Sequence, residues 1–284
     1  MINGFAWGSR TYIMGVLNIT PDSFSGDGLM AGEDSVPKAL KQARQFIEDG
    51  AHILDIGAES SRPGSQPISA AEELDRTLPV LEAVVSAVPD AVISIDTYKS
   101  GVAAKCLESG AGWINDIWGL RADRKLADVI AAHQAVVVLM HNRSSTDLVL
   151  DYGDLGSSYA GAEYADLISD IKAGLEASIR IAQKAGIKDE NIILDAGIGF
   201  GKTVEQNLEI INRLDEFSKI GFPVLIGPSR KSFIGKTLNL PVGEREEGTA
   251  AAVAVGIARG ADIVRVHDVK AMARVAAMTD AIVR

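Results

Sequence analysis

The chain has 284 residues, and its 28 Lys and Arg against 38 Asp and Glu leave a formal net charge of −10. Hydrophobic residues make up 47% and charged residues 23%, which is ordinary for a globular protein and excludes a disordered or fibrous chain. The acidic balance argues against a general nucleic-acid binder, because phosphate binding requires clustered cations.

The cysteine content and the lack of a targeting signal indicate a reduced compartment. The one cysteine, Cys106, cannot form a disulfide within this sequence, and its apolar, helix-like surroundings indicate a buried thiol. The N-terminus lacks the basic stretch and apolar core of a secretory signal. No apolar run approaches the roughly 20 residues of a membrane helix. We therefore expect a cytoplasmic protein that does not contact membranes.

Short apolar runs alternate with longer amphipathic segments along the chain. The runs are rich in Val, Ile and Leu with little polar alternation, as in parallel strands that are buried on both faces. The predicted strands are residues 12–17, 52–56, 92–95, 113–114, 135–140, 191–194, 222–226 and 262–266. The predicted helices are residues 36–49, 70–88, 99–109, 125–133, 164–185, 204–217, 247–259 and 269–282. Glycine stands where several helix C-caps are expected, at Gly110, Gly186, Gly221 and Gly260.

Eight strand–helix units in a chain of this length predict an α/β fold, a (β/α)₈ TIM barrel. A doubly wound open sheet is the main alternative. No linker or break in composition divides the chain, so we expect one domain over residues 1–284.

Polar side chains end or follow all eight predicted strands. In barrels the active site is built on the C-terminal face by the loops after the strands. A single Asp there is usually a helix cap or turn residue, but polar residues at every strand end favour a shared site. In chain order they are Asn18, Asp55, Asp96, Asn115 with Asp116, His141, Asp195, Ser229 with Arg230 and Lys231, and Arg265 with His267.

The types of these residues suggest a ligand. Asp96, Asn115 and Asp195 offer acceptors and one amide, which suits the edge of a flat heterocycle with several N–H donors. A second group could gather around an anion such as pyrophosphate. Its members are Arg62, Lys231, Arg265 and His267. Surface solvation is the alternative for these cations, but it fits Arg265 poorly because Arg265 lies inside an apolar run.

Two early loops, residues 18–28 and 59–67, are rich in Gly, Pro, Ser and Asp and exceed the usual length of about 2–6 residues for such loops. Long loops on a barrel's catalytic face are commonly lids. The glycine-rich run 197–201 lacks the dinucleotide-binding fingerprint. The sequence has neither a Cys/His cluster with zinc spacing nor a nucleophile elbow.

Seven motifs together resemble those of the dihydropteroate synthase family, in the family's order and over nearly the whole chain. The first two are Met14-Gly-Val-Leu-Asn-Ile-Thr-Pro-Asp-Ser-Phe-Ser-Gly-Asp-Gly28 and Ile53-Leu-Asp-Ile-Gly-Ala-Glu-Ser-Ser-Arg-Pro-Gly64. The others are residues 94–97, 114–116, 193–202, 229–233 and 264–269. The resemblance implies a (β/α)₈ barrel, usually a homodimer, that joins 6-hydroxymethyl-7,8-dihydropterin diphosphate to p-aminobenzoate and releases pyrophosphate in folate biosynthesis.

The resemblance also implies roles for individual residues. Pterin would be bound by Asp96, Asn115, Asp195 and Lys231, with Met140 and Arg265 on its faces. Pyrophosphate would contact Arg62, Arg265 and His267, and Asn18 would ligate the accompanying Mg²⁺. The p-aminobenzoate pocket, where sulfonamides compete, would be formed by Ser61, Arg62, Pro63, Phe200 and Lys231. Catalysis would involve Asp96, Lys231, Arg62, Arg265 and His267.

These parts suggest a mechanism. Pyrophosphate leaves more easily when Mg²⁺ and cations neutralise the charge that it gains. The electron-rich dihydropterin would share the positive charge left on its methylene carbon, and Asp96 is our candidate for stabilising that cation. An aryl amine is neutral at physiological pH, so its attack needs no strong base. We expect a dissociative substitution without a covalent enzyme intermediate.

Two departures from the family pattern fall in the second loop. Ala58 stands where Gly is frequent, and Ser61 where Thr is frequent, which removes a methyl group from the p-aminobenzoate pocket. Neither change removes a charged or metal-binding group. Neither the second-loop motif nor that of the sixth strand carries an insertion of the kind expected in sulfonamide-insensitive relatives, so we expect sensitivity.

Three other functions remain open. A methyltetrahydrofolate-binding methyltransferase of the same barrel superfamily would share the Asp/Asn set but has no use for the cations Arg62, Arg265 and His267. A non-catalytic pterin-binding paralogue would be expected to lose loop or cation residues. A generic phosphate-binding barrel enzyme would explain the cations but not the ordered motifs. Helical residues 253–259 and 269–282 are candidates for a dimer interface, with packing against the barrel as an equal alternative.

Overall fold

The computed structural model describes residues 4–20, 35–145 and 148–284, and these form a closed parallel barrel surrounded by helices. The strands, in chain order, are β1 (Tyr12–Asn18), β2 (Ile53–Gly57), β3 (Val92–Asp96), β4 (Trp113–Asp116), β5 (Val136–Met140), β6 (Val149–Asp151), β7 (Ser157–Tyr159), β8 (Ile192–Asp195), β9 (Val224–Ile226) and β10 (Ile263–Val266). All but β6 and β7 belong to the barrel, and those two pair as an antiparallel hairpin.

The barrel strands follow one another around the barrel in chain order, and β10 closes the barrel by pairing with β1. Register places candidate site residues at one level near the strand ends. Asp96 on β3 is the partner of Asn115 on β4, and Met140 on β5 is the partner of Asp195 on β8. The carboxyl ends of parallel strands meet at one face, which is where barrel active sites form.

Helices link the strands and cover the barrel. They are α1 (Ser35–Glu48), α2 (Ala70–Ala87), α3 (Ser100–Glu108), α4 (Leu126–His133), α5 (Leu167–Ala185), α6 (Val204–Asn212), α7 (Asp215–Ser218), α8 (Ser232–Leu238), α9 (Glu246–Ala258) and α10 (Val269–Val283). Side-chain caps start three of them: Ser69 for α2, Asp166 for α5, and Thr203, in a full capping box, for α6.

Two buried clusters reflect the alternation of side chains along the strands. One contains Met14, Ile53, Trp113 and Leu225, and the neighbouring strand positions, such as Leu54, belong to a larger cluster with the helices. Both faces of each strand are therefore apolar, which explains why the sequence shows continuous apolar runs. Cys106 is a buried free thiol in α3, as predicted.

The predicted barrel is confirmed, and the predicted strand bounds lie within two residues of those observed. The helix predicted over residues 204–217 is instead broken into α6 and α7, because the chain leaves helical geometry at Arg213 and buries both Leu214 and Phe217. The prediction missed the β6–β7 hairpin and α8, whose short segments have no helical or alternating pattern long enough to detect. In the described part of the chain, no helix is long and apolar enough to cross a membrane.

Candidate functional site

An arginine and two aspartates meet at the C-terminal mouth of the barrel. Arg265, on β10, donates from Nε to Asp55 Oδ2 at 2.6 Å and from Nη2 to Asp96 Oδ2 at 2.7 Å. Asn115 Nδ2 donates to the same Asp55 oxygen at 3.1 Å. These three bonds join four polar side chains from four strands into one hydrogen-bonded group. Asp55, which accepts two of the bonds, is fully buried.

The charges of this group are mutually dependent. Burial raises the pKa of Asp96 to about 7; Arg265 opposes that rise, whereas Asp55 adds to it. Burial alone would lower the pKa of Arg265, but Asp55 and Asp96 outweigh it and hold the pKa above its ordinary value. Arg265 is therefore a permanent cation, and Asp96 is a carboxyl group whose charge depends on what lies next to it.

Asp195 ends β8 and Lys231 follows β9, so both also lie at the mouth. Asp195 Oδ1 accepts from the backbone N–H of Gly197 at 2.7 Å, and burial raises the pKa of Asp195 although Lys231 opposes the rise. Lys231 Nζ donates to the carbonyl of Ile198. Burial lowers the pKa of Lys231 to about 8, and Asp195 limits that fall. The lysine thus loses its proton at a pH much closer to neutrality than an exposed lysine does.

A cluster of basic side chains surrounds His267. His267 Nδ1 lies 2.9 Å from Ser229 Oγ, and burial lowers the pKa of His267 to about 3, with further lowering by Arg265, Arg230 and Arg62. The imidazole is therefore neutral at physiological pH. Arg230 itself donates to both oxygens of Asp268, from Nε at 2.9 Å and Nη2 at 2.5 Å. Arg62 and Arg265, two of the predicted anion-binding residues, thus lie close enough to His267 to lower its pKa.

The glycine loop, defined as residues 196–203, carries Phe200 to the mouth. Gly197 and Gly201 have φ of +72° and +64°, and a Cβ atom at Gly197 would lie 1.9 Å from the carbonyl oxygen of His141. Buried Lys202 holds the loop from within, donating to the carbonyls of Gly197 at 2.8 Å and Phe200 at 3.0 Å. Close backbone approach, rather than nucleotide binding, therefore explains this glycine-rich run.

Phe200 belongs to an apolar wall with Met140 and Tyr159. Lys231 Nζ lies 4.7 Å from the centroid of the Phe200 ring, and the Tyr159 ring is nearly parallel to that ring at 26°, with centroids 6.1 Å apart. Tyr159 Oη donates to the carbonyl of Ser61 at 3.0 Å. This bond connects the apolar wall to loop 2, defined as residues 58–69, which also carries Arg62 and Pro63.

A partly buried ion cluster fixes loop 2 to the barrel. Lys99 Nζ donates to Glu59 Oε2 at 2.5 Å, to Glu73 Oε2 at 2.6 Å and to the carbonyl of Ile68 at 2.7 Å. Sequence reasoning missed this cluster and also missed Asp55 as the partner of Arg265. For Asp55, a carboxylate within an otherwise apolar strand was an available signal. No spacing pattern connects Lys99 to Glu59 and Glu73.

Asn18 ends β1 and adjoins Asp96. A Cβ atom built on Gly57 would lie 3.8 Å from Asn18 Oδ1 and 3.7 Å from Asp96 Oδ2, so both oxygens border this glycine. Carboxylate and amide oxygens suit Mg²⁺, which often takes only one or two protein ligands beside water and phosphate. No group of three His, Cys, Asp or Glu side chains is placed for a metal within the described ranges. Residues 21–28, the rest of the first predicted loop, lie outside the described residues.

A cavity of about 500 Å³ lies at the other end of the barrel. It is lined by residues such as Phe5, Tyr12, His52 and Asp90, and none of the predicted site residues lines it. The convergence of charged and polar groups therefore identifies the mouth, rather than this cavity, as the candidate site.

Comparison with known proteins gives concordant results. The model of the pterin binding enzyme family matches residues 14–267. Dihydropteroate synthase of Bacillus subtilis (strain 168) is 48% identical over 98% of this chain and 91% of that protein. The Clostridium beijerinckii enzyme of the same name is 48% identical over 99% of this chain and 97% of its own length.

Solved structures agree with this. Dihydropteroate synthase from Clostridium difficile, in the presence of pteroic acid, has a TM-score of 0.88 and 44% identity over 99% of both chains. The Yersinia pestis enzyme with a sulfonamide drug has a TM-score of 0.88 and 35% identity over 98% of this chain and 97% of that one. The Xanthomonas albilineans enzyme with 4-aminobenzoic acid has a TM-score of 0.84 and 35% identity over 96% and 93%.

Proposed function

We propose roles for the residues at the barrel mouth on the premise that this chain belongs to the dihydropteroate synthase family of pterin-binding enzymes. It is a transferase of folate synthesis, which condenses 6-hydroxymethyl-7,8-dihydropterin diphosphate with p-aminobenzoate to give 7,8-dihydropteroate and pyrophosphate. The remaining question is how the side chains at the mouth divide the work.

Asp96, Asn115 and Asp195 bind the polar edge of the pterin, together with Lys231. The support is that Asp96 and Asn115 are register partners and that Asp195 faces the Lys231 cation. A pterin offers several N–H donors in one plane, and carboxylate and amide oxygens accept them. Met140 and the Arg265 guanidinium lie against the two faces of the ring.

Arg62, Arg265 and His267 bind the diphosphate. Guanidinium groups match phosphate oxygens with paired N–H donors. His267 is neutral at physiological pH, so it contributes one N–H donor rather than a charge. The grouping is supported by the effect of both arginines on the pKa of His267.

The family uses a divalent metal, and we assign Mg²⁺ to the oxygen of Asn18. The neighbouring position of Asn18 Oδ1 and Asp96 Oδ2 beside Gly57 supports an oxygen-rich site. When bound, Mg²⁺ supplies positive charge that stabilises the departing pyrophosphate.

The p-aminobenzoate pocket comprises Ser61, Arg62, Pro63, Phe200 and Lys231. The side chain of Phe200 offers an apolar surface to an aryl ring, and Lys231 offers a cation near that surface. The positive groups Arg62 and Lys231 suit the carboxylate of the substrate. Sulfonamides, which have a similar aryl amine, would bind in the same pocket.

The reaction is a dissociative substitution. The bond between the pterin methylene carbon and the diphosphate oxygen breaks as Arg62 and Arg265 neutralise the departing charge. Asp96, whose pKa of about 7 leaves a large ionised fraction at neutral pH, stabilises the positive charge on the methylene carbon. The aryl nitrogen then forms its bond to this carbon and releases its surplus proton to solvent, and Lys231 and Phe200 orient the ring. No enzyme side chain forms a bond to carbon.

The observation that carries this proposal is the contact of one guanidinium, that of Arg265, with both Asp55 and Asp96 at the mouth. The test is to mix the protein with dihydropterin diphosphate, Mg²⁺ and p-aminobenzoate, and to measure pyrophosphate and dihydropteroate. Both products should appear only with p-aminobenzoate present. Tight pterin binding without such release would refute the enzyme and favour a non-catalytic pterin-binding protein.

The chain is proposed to act as a single domain over residues 1–284 in the cytoplasm, as a homodimer. The C-terminal helices are the candidate interface because they expose large apolar side chains. Val255 of α9 is 44% exposed, and Met278 and Ile282 of α10 are 64% and 69% exposed. Sedimentation of the full chain at several concentrations would test the dimer.

A further inference from the structure

The β6–β7 hairpin is held firmly against the barrel mouth. Arg245 Nη2 donates to the carbonyl of Leu155 in its turn at 2.9 Å, and Lys236 Nζ donates to Ser158 Oγ at 2.9 Å. After the hairpin, the N–H of Ala162 donates to the carbonyl of Gly201 in the glycine loop at 2.9 Å. Contacts from α8, from Arg245 and from the glycine loop thus fix the position of the hairpin.

Side chains alternate along β7, so Tyr159 points to the face of the hairpin opposite to that of Ser158. There Tyr159 is 9% exposed and lies in the apolar cluster of Met140 and Phe200. Val149, its cross-strand partner, packs against the same cluster. Tyr159 therefore completes the apolar wall of the mouth.

Tyr159 contacts two parts of the proposed p-aminobenzoate pocket that come from different loops. Its ring is nearly parallel to that of Phe200 in the glycine loop, and its hydroxyl donates to the carbonyl of Ser61 in loop 2. Burial raises the pKa of Tyr159, so the hydroxyl keeps its proton and donates throughout the neutral pH range.

We propose that Tyr159 is a positioning residue for the aryl-amine substrate, setting the separation between Phe200 and the Ser61 backbone and thereby the width of that pocket. This inference rests on the proposed function, since it takes Ser61 and Phe200 as walls of the p-aminobenzoate pocket. A preorganised pocket binds its ligand more tightly because less ordering is required on binding.

The test compares steady-state constants of Tyr159→Phe, Tyr159→Leu and the unchanged chain. Tyr159→Phe removes only the hydroxyl, and loss of one hydrogen bond should raise the KM for p-aminobenzoate about two- to tenfold. The KM for the pterin diphosphate should stay within twofold, and the Ki of a sulfonamide should rise in parallel. Tyr159→Leu, which also loses the ring, should raise the KM for p-aminobenzoate further.

Tyr152→Phe is the matched control, since it removes the same atom from a tyrosine of the same hairpin that is 42% exposed and whose ring lies beside Lys236. It should leave all constants unchanged. Tyr159→Phe constants equal to those of the unchanged chain would overturn the role of the hydrogen bond, and equal constants for Tyr159→Leu would overturn the role of the ring. Equal rises for both substrates would indicate a purely structural residue. Absence of activity in the unchanged chain would instead refute the proposed function.

Discussion

Removing the charge of Lys99 should destabilise the protein strongly and in a pH-dependent way. Lys99 Nζ lies between the carboxylates of Glu59 and Glu73, and the side chains of these three residues are 16%, 14% and 2% exposed. Lys99→Met keeps most of the side-chain volume but leaves two acidic groups facing one another without a cation. Breaking a buried ion pair by removing one partner typically costs about 3–5 kcal/mol.

Proton uptake sets an independent limit on this cost. The variant can neutralise one carboxyl group by binding a proton, and holding an ordinary glutamate protonated at pH 7 costs about 4 kcal/mol, at about 1.4 kcal/mol per pH unit. At pH 5 the same step costs about 1 kcal/mol. The expected loss in the free energy of unfolding is therefore about 3–4 kcal/mol at pH 7 and about 1 kcal/mol at pH 5.

In the unchanged chain, the contribution of Lys99 to the free energy of unfolding should be the same at pH 5 and pH 7. Burial lowers the pKa of Lys99, but Glu59 and Glu73 outweigh it and raise the pKa above its ordinary value. A raised lysine pKa means that its contribution is complete at both pH 5 and pH 7 and is lost only at strongly alkaline pH. The pH dependence of the difference therefore comes from the carboxyl groups of the variant.

Urea unfolding of the variant and of the unchanged chain measures the loss in the free energy of unfolding at pH 5 and at pH 7. Lys105→Met, which breaks an exposed pair with Glu108 in α3, is the control and should change stability far less at either pH. Adding Glu73→Gln to Lys99→Met removes the buried charge and should restore part of the loss at pH 7. A loss for Lys99→Met below about 1 kcal/mol at pH 7, or one that does not shrink at pH 5, would refute the reasoning.

Three further predictions concern the reaction. Asp96→Asn should lower kcat by about a hundredfold or more while pterin affinity changes much less, measured by steady-state kinetics and calorimetry; equal losses would make Asp96 a binding residue only. Arg265→Lys replaces a planar guanidinium, which can donate paired N–H bonds to a phosphate group, with a point charge on a different stem, so it should weaken binding of the diphosphate substrate about tenfold or more and binding of the free pterin alcohol less; equal weakening would argue against a diphosphate contact. Because the pKa of Lys231 is lowered to about 8, kcat/KM should fall as the pH rises through about 8, and this limb should be missing in Lys231→Met.

The barrel and the level of its site followed from local patterns in the sequence. Strands buried on both faces need continuous apolar runs, so the run that ends at Met140 was visible without any tertiary information. The first polar residue after each run then lies at the strand end, which is why Asp96, Asn115 and Asp195 could be named in advance. The strand pairing then brings the strand ends to the same level, since Asp96 is paired with Asn115 and Met140 with Asp195.

Long-range pairings could not be found in the same way. Lys99 and Glu59 are 40 residues apart, and Arg265 and Asp55 are 210 apart. Each pair is set by barrel closure and side-chain length, which leave no periodic trace in one sequence. The β6–β7 hairpin has strands of only three residues, too short for alternation to be distinguished from a loop. Tyr159 consequently emerged only from the structure.

Two of the arginines at the mouth already have carboxylate partners in the structure. Arg230 contacts Asp268, Arg265 contacts Asp55 and Asp96, and His267 is neutral at physiological pH. A diphosphate that binds Arg265 must therefore compete with carboxylates already in contact, and its affinity reflects the difference between two ion pairings. Its several negative charges favour the exchange. If Arg265 turns towards the diphosphate, Asp96 loses the cation that opposes the rise of its pKa. The positive charge that develops on the methylene carbon then takes the place of that cation and keeps Asp96 ionised.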